Sequence, residues 1–431
     1  MGKGFWGKFW ERCERSLTRC FQLSLQILPF FSPISSQQMQ QEVLAKLLAK
    51  KHQIIRITQP TSAQFQINPS DHYYLLVGTG GTEQDIIAFV EEAALPSPII
   101  LVSYDLNNSL PAAMEARKAL EQRELETRII HGTLADLASL FLRLERFLNV
   151  REQLQQSRIG LVGVPSEWLV ASQADEQAIR KTWGSEIIVI PISELIKATQ
   201  RKKPDTPSNI GQYYLSQDTG DEIPPEKVIE AEMVTRQLLQ LVQRFNLNAL
   251  TVECFSLVQQ TAITSCLALS YLNDQGIIAG CEGDIPSVFT MLLLQLLTGQ
   301  TPWMANVADV DVKQNRIKLA HCSIATSLLE SFALTTHFET GKSVAVRGQF
   351  KSPQEVTILK IGESDLSSWW ITKGEILTNT AKDSMCRTQI EVAVEQSVDY
   401  FLDHSLANHH CLILGDYVEV IQEFLNFIFD Q

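Results

Sequence analysis

The sequence predicts an α/β protein in which two parallel-sheet domains precede an antiparallel, barrel-like domain. From residue 71 to about residue 300, continuous apolar runs such as residues 73–77 alternate with helical stretches, as in parallel strands buried on both faces. Beyond residue 301 the apolar runs are short and alternate with polar residues, which indicates antiparallel strands with one solvated face. A chain of 431 residues is also too long for a single core.

Three domains follow from this pattern. The first α/β domain is predicted over residues 50–156 and the second, which carries Asp284, over residues 157–300. The antiparallel domain is predicted over residues 301–431. The polar stretch 201–225 is predicted to be a long loop, because lysines, prolines and small polar residues are concentrated there. The predicted strands are residues 73–77, 98–102, 128–130, 159–164, 187–190, 249–254, 277–281, 317–319, 343–348, 355–359, 388–392 and 411–414.

Residues 1–49 are interpreted as a poorly defined N-terminal extension. Residues 1–31 mix basic residues with aromatic and aliphatic ones, and they lack a small-residue cleavage site. The apolar stretch 20–31 is interrupted by polar residues and is short for a membrane-spanning helix. Two interpretations stay open: a basic amphipathic helix in weak contact with a membrane surface, or an extension without a role in the fold. We leave residues 1–31 outside the predicted fold.

Composition narrows the class of partner and the compartment. The net charge of −13 argues against nucleic acid as a general partner, because phosphate binding requires a basic face. The chain has eight cysteines but no pair spaced as CxxC, and most lie in apolar runs. Buried, reduced thiols in a reducing compartment are the better interpretation, so we expect a cytoplasmic protein.

Two separated stretches contain residues that can hold a divalent cation. Glu282 and Asp284 follow the predicted strand 277–281, at the strand end where ligand sites collect in open α/β sheets. His409 and His410 stand just before the predicted strand 411–414. Carboxylates and imidazoles brought together can bind a metal and move protons. The alternative for Asp284 is a helix cap, because a proline-started helix follows it directly.

Other residues admit both a functional and a structural interpretation. His321 lies in an apolar run and is either a site residue or a buried core histidine. Arg347 flanks a predicted strand and either meets an anionic or hydroxylated substrate or forms a surface ion pair. Trp369 and Trp370 could stack on a sugar ring, although packing in a core or interface is the more common role of such residues.

The order of these motifs resembles the L-fucose isomerase-like family over roughly residues 70–431. The resemblance rests on residues 266–276, the Cys-Glu-Gly-Asp stretch 281–284 and the leucine-rich stretch 292–297. It continues through Ala-His-Cys at 320–322 and His-Phe-Glu at 337–339, and then through further short motifs. These are Arg347-Gly348, Cys386-Arg387-Thr388, Asn408-His409-His410 and Gly415-Asp416. The family implies two Rossmann-like domains, a C-terminal antiparallel barrel and a homo-oligomer with sites at subunit contacts.

The resemblance also implies an aldose–ketose isomerase that uses a divalent ion, typically Mn²⁺. Metal at O1 and O2 of an open-chain sugar would stabilise an enediolate, while two carboxylates take and return the proton. Asp284 matches the family's metal-binding aspartate, and His409 or His410 matches the metal histidine, with His410 favoured. The implied substrate-binding residues are His321, Arg347 and Arg387.

One position departs from the family pattern. The family's second metal carboxylate follows the strand equivalent to residues 249–254, and here Leu257 stands near that place. Either Glu253 or Glu282 replaces this carboxylate, or the acid–base pair is incomplete. Two functions therefore stay open. One is a sugar isomerase with Asp284, Glu253 and Glu282 as catalytic carboxylates, and the other is a degenerate relative that binds a sugar, metabolite or protein without turnover.

Overall fold

The computed structural model of the chain contains two compact units. The first is Met1–Asn149 and the second is Val150–Gln431. Within these units the structure describes residues 24–48, 54–60, 65–68, 71–220 and 223–429. No helix in these described ranges is long and apolar enough to cross a membrane. The predicted contact of a basic N-terminal helix with a membrane surface falls mainly on residues 1–23, which lie outside the described residues.

The first unit is built on a five-stranded parallel sheet with the order β2-β1-β3-β4-β5. Its core consists of aliphatic side chains from the strands and helices, and Leu28, Leu75 and Leu101 are fully buried. The strands are β1 Leu25–Phe30, β2 Ile55–Ile57, β3 His72–Val77, β4 Ile99–Tyr104 and β5 Thr127–Gly132. The helices are α1 Gln37–Leu47, α2 Glu83–Ala93, α3 Ser109–Glu121 and α4 Leu134–Gln155, the last of which crosses the boundary between the units.

Strand β1 corrects the interpretation of residues 1–31 as an extension outside the fold. It lies between β2 and β3, and five of its six residues are buried. The polar Gln26, which interrupts the apolar run in the sequence, has hydrogen-bond partners in Ser24, Asp71 and Thr58. A polar residue with satisfied hydrogen bonds is compatible with a strand inside a sheet, so the interruption did not exclude this structure.

The second unit begins with a four-stranded parallel sheet of order β7-β6-β8-β9. Its strands are β6 Arg158–Val162, β7 Glu186–Ile190, β8 Ala249–Val252 and β9 Ile278–Cys281. Its helices are α5 Glu176–Trp183, α6 Ser193–Thr199, α7 Asn209–Gln217, α8 Pro225–Phe245, α9 Cys254–Thr261, α10 Cys266–Asp274 and α11 Ile285–Thr298. Strand β8 therefore ends two residues before the predicted strand end at residue 254.

Helix α7 corrects the prediction of a continuous loop over residues 201–225. The hydroxyl of Ser208 caps this helix by accepting a hydrogen bond from the Ile210 N–H. Tyr214 on the helix is fully buried, and its hydroxyl donates to Ser270 at 3.0 Å. Packing around one aromatic side chain stabilises a helix that the polar composition of the stretch does not indicate.

Six antiparallel strands of the second unit form a closed barrel, as the sequence predicts. Their order is β10-β11-β16-β15-β14-β17, with β17 hydrogen-bonded to both β10 and β14. The barrel strands are β10 Trp303–Asp311, β11 Arg316–His321, β14 Gln354–Gly362, β15 Ser368–Asn379, β16 Thr388–Val394 and β17 His409–Leu414. A separate hairpin consists of β12 Ser331–Thr335 and β13 Ala345–Gln349, and α12 Tyr400–Asp403 and α13 Val418–Phe429 complete the unit.

Helix α11 joins the parallel sheet to the barrel. The Thr290 hydroxyl accepts a hydrogen bond from the Ile361 N–H of β14 at 3.1 Å. The Cys411 thiol of β17 donates to the Ser287 carbonyl at 3.4 Å. These bonds bring the loop before α11, at the end of β9, next to the start of β17. The two stretches singled out in the sequence, 281–284 and 408–410, are thus neighbours in the fold.

Candidate metal centre

Asp284 caps helix α11 and is fully buried. The backbone N–H of Ser287 donates to one carboxylate oxygen at 2.8 Å, and the Ser287 hydroxyl donates to the other at 2.8 Å. Caps of this kind satisfy a free N–H at the helix start and typically stabilise a protein by about 1 kcal/mol. The structural interpretation of Asp284 as a helix cap is therefore confirmed.

Asp284 also takes part in a buried charge arrangement with Lys360 and His409. Burial alone would raise the pKa of Asp284, but the Lys360 ammonium, the His409 ring and the Ser287 N–H outweigh burial and hold this pKa well below its usual range. The carboxylate is therefore ionised and accepts a hydrogen bond from His409 Nδ1 at 2.8 Å. The fully buried Lys360 donates to the Ser287 hydroxyl at 3.0 Å and supplies the compensating positive charge.

In the neutral ring of His409, this hydrogen bond fixes the proton on Nδ1 and leaves Nε2 with a lone pair. Nε2 is buried and, within the part of the chain that the structure describes, has no hydrogen-bond partner. Oε1 of Glu282 lies 3.7 Å from Nε2, and single ligand atoms of Glu282, His321 and His409 lie within 4.8 Å of one another. A buried polar atom without a partner is rare in proteins. A carboxylate that accepts a hydrogen bond from one ring nitrogen of a histidine commonly orients the other nitrogen towards a metal, and Asp284 does this for His409. Glu282, His321 and His409 therefore fit a divalent cation.

Glu282 is held in its place by an unusual backbone and by a tryptophan. Its φ of +65° lies in the left-handed region, which is strained for a residue with a side chain. The indole N–H of Trp168 donates to Oε2 at 2.6 Å, and the Ser166 N–H donates to the Glu282 carbonyl at 2.8 Å. Gly283 also has positive φ, and a Cβ there would lie 2.6 Å from the Val164 carbonyl oxygen. These constraints direct Oε1 towards His409.

His321 is the last residue of strand β11 and the third member of the Glu282–His321–His409 cluster. Its Nδ1 lies 2.9 Å from the Ser323 hydroxyl and also accepts the Ser323 N–H at 3.3 Å. Burial, together with the charges of His409 and His337, lowers the pKa of His321 to about 3. The ring is therefore neutral at pH 7, as a metal ligand must be. The functional and the core interpretations of His321 coincide, because the side chain is buried and belongs to the cluster.

His410 points away from the cluster. Neighbouring residues of a strand face opposite sides, and His410 meets Trp370, Tyr400 and Phe401 on the other face of β17. Its Nδ1 lies 3.1 Å from the Asn408 carbonyl oxygen and its Nε2 lies 3.2 Å from the Tyr400 hydroxyl. Both nitrogens thus have protein partners. The sequence favoured His410 over His409 as the metal histidine, but His410 lies on the face of β17 that is turned away from the cluster.

Glu253 lies at the start of helix α9, and its carboxylate is already engaged. Oε2 accepts a hydrogen bond from the Val164 N–H at 3.0 Å, and Oε1 accepts one from the Ser256 hydroxyl. Glu253 is not a member of the Glu282–His321–His409 group. Leu257 is fully buried within α9 and offers no ligand atom. The carboxylate that completes the cluster is therefore Glu282, one of the two substitutes that the sequence left open.

The two arginines of the sequence prediction occupy different environments. Arg387 donates from Nε to the Thr336 carbonyl at 2.8 Å, and its guanidinium carbon lies 5.9 Å from the Phe338 ring centroid. Its positive charge adds to burial in lowering the pKa of His337. Arg347 lies in β13 opposite Ala333, where it is partly exposed. The charge of Arg387 thus acts on His337, which in turn lowers the pKa of His321, whereas Arg347 is not among the causes of either shift.

Two site residues escaped the sequence analysis. Glu339 is exposed, yet partial burial and the negative charge of Glu282 raise its pKa. Trp168, which is 52% exposed, packs edge-on against Phe255 with ring centroids 4.6 Å apart. Glu339 belongs to the His-Phe-Glu motif at 337–339, which could have indicated it, whereas Trp168 lies in a loop without any motif. Trp369 and Trp370 pack on Phe429 and Tyr400, which agrees with the more common of their two interpretations, packing within the protein.

Acidification is expected to destabilise the protein between pH 6.5 and pH 3. The pKa values of His321 and His410 are lowered to about 3, whereas in the unfolded chain they return to the ordinary value of 6.5. The unfolded state therefore binds protons that the folded state does not, and each imidazole costs about 2–3 kcal/mol at pH 4.5. Urea unfolding at several pH values measures this loss. The slope of the unfolding free energy against pH should become flatter in His410→Gln. An unchanged slope would contradict the lowered pKa of His410.

Comparisons with known proteins give one consistent class of relative. The chain is 22% identical over 318 residues to a sulfoquinovose isomerase of Alkalicoccus urumqiensis, a match that covers 67% of this chain and 66% of that protein. It is 22% identical over 327 residues to sulfoquinovose isomerases of Priestia aryabhattai and Priestia megaterium, with 73% of each chain covered. The match to the Alkalicoccus protein thus spans just under two thirds of its length. The chain matches no protein-family model.

Proposed function

We propose that this protein is a divalent-metal-dependent isomerase that interconverts an aldose and a ketose. The observation that carries the proposal is the buried Nε2 of His409, which has no hydrogen-bond partner among the described residues and belongs to the group of Glu282, His321 and His409. The similarity to sulfoquinovose isomerases supports a sugar as substrate. The cytoplasm as location and a homo-oligomer as the working form belong to the same proposal.

The donor set suits a first-row divalent metal, and we propose Mn²⁺. Two imidazoles and one carboxylate combine ligand types found with Zn²⁺, Fe²⁺ and Mn²⁺. Glu282 would bind through Oε1 while Trp168 keeps Oε2, and His409 would bind through Nε2. His321 can bind through Nε2 in the tautomer that carries the ring proton on Nδ1, in which Nδ1 donates to the Ser323 hydroxyl and gives up the 3.3 Å hydrogen bond from the Ser323 N–H. Addition of metal at 100 times its Kd should stabilise the protein by about 2.7 kcal/mol.

The reaction requires a proton to move between C2 and C1 of an open-chain sugar. When bound, the metal would supply positive charge that stabilises negative charge developing on the neighbouring sugar oxygens. Asp284 cannot transfer this proton, because it is buried behind His409 and its low pKa keeps it ionised. Glu339 suits the task better, since it is exposed and its pKa is raised. Trp168 offers an exposed aromatic face beside Glu282 on which a sugar can stack.

Replacement of Glu339 by glutamine should lower kcat at least 100-fold without changing metal affinity. The amide has similar size but cannot accept or return a proton, and general acid–base groups typically contribute about 10²–10⁴ in rate. Isothermal titration with Mn²⁺ and a ketose assay measure the two quantities separately. Glu330→Gln, at an exposed carboxylate just before β12, is the matched control. Equal kcat in the two variants would remove Glu339 from the mechanism.

The experiment that tests the function is a substrate panel with the metal-loaded protein. Pentoses, hexoses, deoxy sugars and sulfoquinovose are incubated with the protein and Mn²⁺, and ketose formation is followed by NMR. We expect turnover of at least one aldose, and its loss in His409→Ala. Metal binding without turnover of any sugar in the panel would contradict the proposal.

The second candidate is a relative that binds a sugar, metabolite or protein partner without turnover. It is favoured by Leu257, an apolar side chain where the family carries a carboxylate, and by the engaged carboxylate of Glu253. The same panel separates the two candidates. Saturable binding of a sugar by calorimetry, with no ketose after prolonged incubation, is the result expected from this second function.

A further inference from the structure

Five cysteines of the second unit form a connected group beside the candidate metal centre. We define this thiol cluster as Cys254, Cys266, Cys281, Cys322 and Cys386, all of which are reduced. The Sγ atoms of Cys254 and Cys281 are 2.7 Å apart. Cys322 and Cys386 share a thiol hydrogen bond, and Cys266 packs with both of them. The proposed isomerase reaction uses none of these thiols.

Cys254 and Cys281 are placed by two neighbouring strands of the parallel sheet. Cys281 is the last residue of β9 and pairs with Val252, the last residue of β8. Cys254 follows two residues later as the first residue of α9. Their Sγ atoms need to approach only from 2.7 Å to the bond length of about 2.05 Å. The pair is therefore preorganised for a covalent bond between the ends of β8 and β9.

The surroundings of the pair argue against metal binding as the role of the two thiols. Cys254 is 6% exposed and Cys281 is 5% exposed, so both residues are buried but neither is fully closed off from a small oxidant. Thiols that bind metal occur as groups of ligands, yet no cysteine of the described residues belongs to a group that could hold a metal. Next to Cys281 stands Glu282, whose backbone is already fixed by the Ser166 N–H.

We propose that Cys254 and Cys281 are a redox-modification site that a hydroperoxide converts to a disulfide. One thiolate attacks the peroxide O–O bond, which gives a sulfenic acid and releases the alcohol or water. The second thiol attacks this sulfur, a water molecule leaves, and the S–S bond forms. In sum, two thiols lose two electrons and two protons while one hydroperoxide is reduced to an alcohol and water.

The disulfide acts as a clamp on the two strand ends that precede the site. It closes a loop from Cys254 to Cys281, and a loop of this length restricts the unfolded chain enough to raise the melting temperature on the order of 5 °C. Because the Sγ atoms barely move, Glu282 keeps its position, and the affinity for Mn²⁺ should stay within threefold of that of the reduced protein.

The test uses the full chain with and without hydrogen peroxide. Remaining thiols are alkylated in denaturant, and unreduced protein is digested with chymotrypsin, since no lysine or arginine occurs between Arg244 and Lys313. We expect a peptide pair joined through Cys254 and Cys281, with two hydrogens fewer than the free thiols. The melting temperature should rise on oxidation, and this rise should disappear in Cys254→Ser. Cys411→Ser, a buried cysteine outside the thiol cluster, should retain both effects.

Several results would overturn the proposal. Alkylation of both Cys254 and Cys281 after peroxide treatment would do so, and so would a bridge found only between Cys322 and Cys386. A linked protein with an unchanged or lower melting temperature would contradict the clamp. A more than tenfold loss of Mn²⁺ affinity upon linkage would show that Glu282 moves. None of these measurements depends on sugar turnover, so failure here is distinct from failure of the proposed isomerase.

Discussion

Replacing Glu282 with glycine is expected to abolish binding of divalent metal while leaving the protein as stable as before, or more stable. The substitution removes the only carboxylate of the Glu282–His321–His409 group, and we expect at least a 100-fold loss of affinity. It also places glycine at a φ of +65°, where glycine has no steric penalty. Relief of this strain is worth about 1 kcal/mol. Calorimetric titration and urea unfolding measure the two effects.

The matched control is Glu282→Ala. Alanine lacks the carboxylate, so its metal affinity should equal that of the glycine variant, but it keeps the strained backbone. The difference in unfolding free energy between the variants therefore isolates strain at this position and should be about 1 kcal/mol in favour of glycine. Equal stabilities would indicate a relaxed backbone, and retained metal binding in either variant would exclude Glu282 as a ligand.

Asp284→Asn is expected to have the largest effect on stability of any single substitution at the site. The variant leaves the fully buried ammonium of Lys360 without its counter-charge. The two charges are connected through the Ser287 hydroxyl, and removal of one member of a buried pair of opposite charges typically costs about 3–5 kcal/mol. Metal binding should be lost as well, because the asparagine amide can donate to His409 Nδ1 and thereby move the imidazole proton to Nε2.

A second substitution separates these two effects. Lys360→Met in the Asp284→Asn background removes the unpaired charge, and the double variant should recover most of the lost stability. It should not recover metal binding, because the tautomer of His409 still depends on the ionised carboxylate. Recovery of metal binding in the double variant would mean that Asp284 acts only through stability.

The sequence predicted the class of fold and the neighbourhood of the site for a clear physical reason. Continuous apolar runs and alternating runs report directly on strands buried on two faces or on one, so both sheet types were predictable. The pattern left an open antiparallel sheet or a barrel as alternatives, and the family resemblance implied the barrel. The carboxylates at the end of β9 were found because strand ends collect ligands. Strand β1 was missed because polar residues interrupt its apolar stretch and basic residues precede it, and helix α7 because its stability comes from one buried tyrosine.

The membership of the cluster was not predictable from one sequence. Strand alternation requires that only one of His409 and His410 faces the site, but which one depends on the orientation of β17 in the barrel. His321 joins the cluster from β11, which is not adjacent to β17 in the barrel order. Asp284 has the residue type of a ligand, yet its oxygens are used by Ser287 and His409. Such assignments depend on side-chain direction, which spacing alone does not specify.

The closed ring of barrel strands has a consequence for local opening at the site. Strand β17 is bonded on both sides, and a barrel has no free edge from which fraying can start. Amide protons along β17 should therefore be among the last to exchange with deuterated water, in step with global unfolding. Glu282 stands on a short connection between a strand and a helix, where local opening requires less energy. His409 is therefore released only when the barrel unfolds, whereas Glu282 is released when its hydrogen bonds from Trp168 and Ser166 open, and this second opening would govern the entry of a cation.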